Sequence, residues 1–158
     1  MPNTTLKSNN GWPASKDPAE IDIKSFKVPG TDLKIRCAEK VAPLLIGLAA
    51  EFHETIEPID KGTLDDWGYA FRMIRGSTDS LSNHSSGTAI DLNATKHALT
   101  YRNTFSPENM IKCRTLAAKY GCKWGGDWKR ADEMHFEIAL NPKQTKELIA
   151  KLGLVKDE

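Results

Sequence analysis

The sequence predicts a single domain of the α+β class, on three observations. Apolar positions recur at helical spacing over residues 36–56, aromatics alternate at period two over 67–74, and Ser-Pro and Asn-Pro pairs open two later helices. At 158 residues the chain is one ordinary domain, long enough to bury a real core. A composition that is 39% hydrophobic and 27% charged is that of a soluble globular chain. The formal net charge of +1 gives no support for a nucleic-acid footprint.

The elements follow in order. Residues 1–30 are polar, carry Pro13, Pro18 and Pro29, and show little periodicity. Residues 1–35 are therefore expected to form an extended N-terminal arm, with one short strand around Ile23 to Val28 and with Trp12 pinning it to the body. The domain proper is expected over residues 36–158. Val41, Leu44, Leu45, Leu48, Phe52 and Ile56 predict an amphipathic helix within 36–56. Pro43 fits only in or near its first turn, so the regular helix is expected to begin there. Trp67, Tyr69, Phe71 and Met73 alternate with their neighbours and predict a strand over 67–74. The Ser-rich run 76–86 reads as a loop, and Thr88 to Leu92 as a second strand. Ser106-Pro107-Glu108 is a helix start, with Ser at the cap and Pro in the first turn. That helix buries Met110, Cys113, Ala117 and Tyr120 and ends at Gly121. Short strands follow at 122–124 and 134–139. In the latter, His135 and Glu137 share one face, and Met134, Phe136 and Ile138 the other. Asn141-Pro142 starts a last helix that closes at Gly153.

The first twenty residues contain no apolar run, and the apolar stretch from Val41 to Ala50 is broken by Pro43 and Gly47. Neither a secretory leader nor a membrane span is expected. The expectation is synthesis in the cytoplasm, so a substrate outside the membrane would be reached only after release. Cys37, Cys113 and Cys122 form no Cys-x-x-Cys pair and read as buried free thiols; a Cys113–Cys122 disulfide or a metal role are the other readings.

The chemistry-bearing residues cluster in two places. Ser82-Asn83-His84-Ser85-Ser86-Gly87-Thr88-Ala89-Ile90-Asp91 offers an imidazole and a carboxylate, and Asp132-Glu133-Met134-His135 a second imidazole. Two His and one carboxylate are the ligand set of a catalytic zinc, which gives three positions to protein and leaves one for water. The same set also suits iron and manganese. Asp132, Glu133 and Glu137 all lie near enough in sequence to serve as the base. The strand periodicity favours Glu137.

SNHSSGTAIDLN resembles the Ser-x-His-x-x-Gly-x-Ala-x-Asp motif of the M15 zinc peptidases, and DEMHF resembles their later Asp/Glu-x-x-His motif. The stretches Trp67-Gly68-Tyr69-Ala70-Phe71-Arg72 and Gly125-Gly126-Asp127-Trp128 are similar to the approach segments of that family. The resemblance covers roughly residues 36–140, and is greatest to the small phage endolysins and the D-alanyl-D-alanine carboxypeptidases. It implies a small antiparallel sheet flanked by helices, of the M15 and hedgehog-like kind, with a single zinc site. It implies metal ligands at His84, Asp91 and His135, a catalytic carboxylate at Asp132 and a substrate-polarising Arg at Arg72, with Arg75 as an alternative for that role. Glu137 then orients a ligand imidazole, and Glu133 is a solvated neighbour. Ser82, Ser85 and Asn93 are candidate hydrogen-bond donors around the ligands. Trp124 and Trp128 read as core or groove wall, Asp127 as a turn cap, His53 as structural and His97 as structural or groove-lining.

The implied activity is hydrolysis of peptidoglycan stem peptides by a bacteriophage endolysin that cuts the L-alanyl–D-glutamate bond and so degrades the cell wall. The alternatives are D-alanyl-D-alanine carboxypeptidase action and, more distantly, a non-catalytic zinc-containing binding module. The expected partner is the stem peptide, with no nucleic acid, no membrane insertion and a monomeric chain.

Overall fold

The computed structural model describes residues 6–62 and 64–154, and the ends of the expected arm and domain, residues 1–5 and 155–158, lie outside them. The described residues form an α+β fold with two small antiparallel sheets and three helices, compatible with the fold the resemblance implies. Strands β1 (Ile23–Lys27) and β2 (Lys34–Ala38) make an antiparallel hairpin in which Ile23 faces Ala38 and Lys27 faces Lys34. A second sheet has the order β3 (Ala89–Asp91), β5 (His135–Ile138), β4 (Cys122–Trp124), all neighbours antiparallel. The helices are α1 (Ala42–Thr55), α2 (Pro107–Lys119) and α3 (Pro142–Lys151).

The two later helices begin where the sequence places them. The Ser106 side chain accepts from Asn109 N–H, and Asn141 and Gln144 form a reciprocal capping box. Helix α1 buries Leu44, Leu45, Leu48 and Phe52. The Phe52 ring stands edge-on to Phe105 and to Phe136, each 6.1 Å away between centroids. Phe136 and Ile138 thus turn one face of β5 into the core, while His135 and Glu137 are left on the other. Cys37, Cys113 and Cys122 are free and buried. Among the described residues no helix is long and apolar enough to cross a membrane.

Three expectations are corrected. Residues 36–38 belong to β2 and not to the first helix: Ile35 and Cys37 are buried while Lys34 and Arg36 are exposed, a period-two pattern. Pro43 lies in the first turn of α1, where its missing N–H costs nothing, and upstream of it the chain makes only the 3₁₀ turn Glu39–Val41. The expected division at residue 35 consequently falls inside β2. Within residues 6–35 the expected pinning by Trp12 is found: Trp12 is 4% exposed and its indole N–H donates to Leu140 C=O at 2.9 Å, and the expected short strand is β1.

Residues 67–74 are extended but form no strand. Trp67 exchanges two hydrogen bonds with Asp91, Tyr69 N–H goes to Arg36 C=O, Ala70 N–H to His84 C=O and Ile74 N–H to Ser80 C=O. With partners on four different segments no continuous ladder forms. The alternating aromatics do not alternate in burial either, since Trp67 is 53% exposed. Finally, the loop expected over 76–86 closes with a 3₁₀ turn, Asn83–Ser86, capped by the Ser82 side chain and terminated by Gly87 at φ 70°.

Candidate metal centre and cleft

The register of the second sheet builds the centre. Asp91 and His135 are direct partners across β3 and β5, and Ala89 faces Glu137 beside them, so both ligand candidates lie on one face. His84 reaches the same point from the 3₁₀ turn that precedes β3. One ligand atom from each of His84, Asp91 and His135 lies within 4.8 Å of the others, and all three residues are buried.

The hydrogen bonds fix what each ring can offer. His84 Nδ1 lies 2.7 Å from Gly68 C=O, which only an N–H can satisfy. Its Nε2 therefore carries the lone pair, is buried without a hydrogen-bond partner, and lies 3.2 Å from Asp91 Oδ2. His135 Nε2 lies 2.8 Å from Glu137 Oε1, while its Nδ1 faces Asp91 Oδ1 at 3.1 Å. The rings stand 5.0 Å apart at 71°. An orphaned imidazole nitrogen, a carboxylate and a second ring held through its far nitrogen by a carboxylate fit a divalent metal of the zinc type.

The electrostatics agree with this arrangement. Burial works to raise the Asp91 carboxyl, but the two imidazoles outweigh it and hold it well below the usual range. Burial works to lower His135, but its bonds to Asp91 and Glu137 push it up to about 10. Burial likewise opposes, and the His135 and Asn83 bonds produce, the lowering of Glu137.

Asp132 stands at the edge of this group, with Oδ2 3.9 Å from His135 Nδ1 and Oδ1 buried without a hydrogen-bond partner. Burial raises its carboxyl above the ordinary value, against the pull of His135. It is held by a tight loop: Asp132 N–H donates to Gly125 C=O at 2.9 Å, and a Cβ on Gly125 would come within 2.4 Å of Asp132 C=O. Arg72 is half-buried beside it. Burial and Arg75 lower its pKa, and Asp91 and Asp132 oppose them. Arg72, Arg75, Trp128, Asp132 and the ligand candidates all line one cleft of about 560 Å³.

The surrounding candidates divide. Ser82 caps the turn by accepting from His84 N–H at 3.2 Å. Ser85 Oγ accepts from Arg72 N–H at 2.9 Å and donates to Arg72 C=O at 2.8 Å, which fixes the Arg72 backbone. Trp128 tilts over His135 with centroids 5.2 Å apart, whereas Trp124 is core and donates to Glu133 C=O. Asp127 pairs with Arg114 at 2.7 Å, and His53 Nδ1 accepts from Ile59 N–H at 3.1 Å. His97 is not among the residues lining the cleft; it is buried between Thr104 and Glu57 and stacks on Phe105 at 3.6 Å.

Glu133 is a correction: it is 1% exposed, not solvated, and accepts from Asn103 N–H, Thr104 N–H and the Thr104 hydroxyl. Those three donors compensate its burial.

Two polar anchors escaped the sequence reading. Asn83 Oδ1 accepts from Asn10 N–H at 2.8 Å, and its side chain also bonds Glu137, so residues 6–14 help hold the carboxylate that orients His135. The second anchor follows β3: Asp66 Oδ1 accepts from Asn93 N–H at 2.8 Å and Asp65 Oδ2 from Thr95 N–H at 2.6 Å. Asn83 and Asn93 sit beside motif residues, and Asn93 is among the expected donors, but nothing in the spacing of their partners Asn10, Asp65 and Asp66 marks them.

Two expected results follow from these supports. Glu137→Gln keeps the shape but removes the charge that orients His135, and a loss of about 10–100-fold in zinc affinity is expected from competition with a chromophoric chelator. For Asp66, burial first, then Asp65, Asp60 and Glu57, raise the carboxyl to about 6 against the Asn93 bond. A raised folded-state pKa means that this group's contribution to stability is present at pH 4 and is lost as pH rises through about 6. Asp66→Asn keeps the acceptor for Asn93. It is expected to raise Tm at pH 8 more than at pH 4.5; an equal shift at both pH values would refute the assignment.

The site and fold together define a class: an α+β domain with a buried His-Asp-His group and a neighbouring carboxylate in an open cleft. A family model described as D-alanyl-D-alanine carboxypeptidase, of the M15 peptidases, matches residues 75–138, less than half of the chain. The match supports a metallopeptidase of that family, and the buried His84-Asp91-His135 group fits one. The matched stretch contains His84, Asp91, Asp132 and His135; Arg72 lies just outside it. No curated protein and no solved structure matches the chain.

Proposed function

We propose that the chain is a zinc peptidase that hydrolyses peptidoglycan stem peptides at the L-alanyl–D-glutamate bond, as an endolysin made in the host cytoplasm and acting on the wall after release. The observation that carries the metallopeptidase part is the unpartnered His84 Nε2 aimed at Asp91 and His135, with Asp132 beside them. The choice of bond draws on the resemblance to small phage endolysins. A second reading, removal of the terminal D-alanine, is favoured by the description of the matched family.

His84 through Nε2, His135 through Nδ1 and Asp91 would hold the ion. Bound there, zinc supplies a Lewis acid that activates water near neutral pH and polarises the scissile carbonyl. The protein supplies the rest. Asp132 accepts the proton of the attacking water and returns it to the leaving amine. Its raised pKa suits both halves of that transfer. Arg72 donates to the carbonyl oxygen as negative charge grows on it. Glu137 keeps the proton of His135 on Nε2, leaving Nδ1 free to ligate.

Digestion of purified peptidoglycan by the zinc-loaded protein, with mass spectrometry of the new ends, tests the assignment. New N-terminal D-glutamate is the expected product. Free D-alanine in its place moves the chain to the carboxypeptidase reading, and neither product, with zinc bound, leaves the binding-module alternative.

A further inference from the structure

Three guanidinium groups share the cleft, and only one has an evident counterpart there. Arg72 lies under the influence of Asp91 and Asp132. Arg75 and Arg130 line the same cleft, yet the ion pairs of lysine and arginine among the described residues do not include them. One hydrogen bond ties the Arg130 side chain to the Arg75 backbone. Arg130 Nη1 donates to Arg75 C=O at 2.6 Å, bridging the 67–81 segment to the loop that carries Asp132. Gly76, at φ 88°, makes the turn next to this contact. Arg75 and Arg130 are exposed and, among the described residues, paired with no carboxylate, and they add positive potential to a cleft that Asp91 and Asp132 also line. The Nη2 and Nε donors of Arg130 and the whole Arg75 fork are left for a ligand.

The stem peptide offers a matching group. D-glutamate continues the chain through its side-chain carboxyl, so in an L-alanyl–D-glutamate cleavage the residue that supplies the leaving amine keeps its α-carboxyl free unless it is amidated. We propose that Arg75 and Arg130 form the specificity-determining pair that takes this free α-carboxylate, so that the enzyme selects stem peptides whose D-glutamate is not amidated. The proposal rests on the peptidase reading above. A guanidinium fork meets a carboxylate with two charge-assisted bonds, whereas an amide presents one oxygen and a repelled NH₂.

Product binding tests the pair without turnover. The probes are D-glutamyl-γ-L-lysine and its α-amide, D-isoglutaminyl-γ-L-lysine, titrated into the zinc-loaded protein by calorimetry. The free acid is expected to bind about 10–100-fold more tightly than the amide, the range of a charge-assisted pair. The double variant Arg75→Gln/Arg130→Gln, checked as folded by circular dichroism, is expected to bind both weakly and alike. With intact L-alanyl substrates the same variant is expected to raise KM for the acid and leave kcat nearly unchanged. Equal binding of acid and amide, binding of neither, or discrimination that survives in the double variant overturns the proposal. Discrimination without cleavage of either stem-peptide bond removes the peptidase reading and leaves the arginine pair. Cleavage without discrimination does the reverse.

Discussion

Asp132→Ala is expected to lower kcat by about 10²–10⁴-fold on peptidoglycan while the protein still binds one zinc. The carboxylate stands 3.9 Å from His135 Nδ1 and carries a buried oxygen with no hydrogen-bond partner, so its removal leaves the His84-Asp91-His135 group intact. Glu137 cannot easily replace it, because one of its oxygens is engaged by His135 Nε2 at 2.8 Å. Turnover measured beside metal content separates the two carboxylates. Loss of kcat at full metal occupancy marks Asp132 as the base. Activity within threefold of the parent would return that role to Glu137, which strand periodicity alone favours.

Gly87→Ala is expected to destabilise the fold by about 2–5 kcal/mol, adding the cost of a left-handed non-glycine residue to that of overpacking. Gly87 stands at φ 70° between the turn that carries His84 and the strand that carries Asp91. A Cβ there would meet Ile23 Cδ1 at 2.3 Å and Ala38 N at 2.7 Å. The second clash is with backbone, and Gly87 C=O accepts from that same Ala38 N–H at 2.9 Å. Relief requires the hairpin or the ligand turn to move, so zinc affinity should fall together with the denaturation midpoint. Urea denaturation of the metal-free protein and a zinc titration check both halves. An unchanged midpoint would show that the hairpin yields freely and would break the link between β2 and the site.

These residues also show what the sequence could and could not disclose. Ser106-Pro107 and Asn141-Pro142 announce helix starts because capping is local chemistry, decided within four residues. The period-two pattern at His135 and Glu137 places both on the face of the candidate metal centre, and the Asp91–His135 pairing follows from the strands being neighbours. The aromatic alternation over 67–74 misleads for a physical reason. That segment is stitched to Arg36, Ser80, His84 and Asp91 in turn, so its extended shape comes from four separate partners and not from a ladder. The hairpin that crosses residue 35 is half legible: the short strand expected around Ile23 to Val28 is β1, but its pairing with Ile35 and Cys37, both core residues, is not marked by their helical-looking neighbours. Glu133 reads as solvated from its neighbours alone, because its three donors come from residues 103 and 104, about thirty positions away. The bond from Asn10 to Asn83 spans 73 positions and leaves no local trace.

The three cysteines give the molecule an internal chemical clock. Cys37 lies in β2, Cys113 in α2 and Cys122 in β4, so each reports on a different wall of the core. Burial pushes Cys37 and Cys113 up to about 12 and raises Cys122 as well, which leaves almost no thiolate at neutral pH. Alkylation therefore waits for each wall to open. Labelling rates resolved by site would time the opening of hairpin, helix and sheet separately, in the unaltered chain and without an added probe.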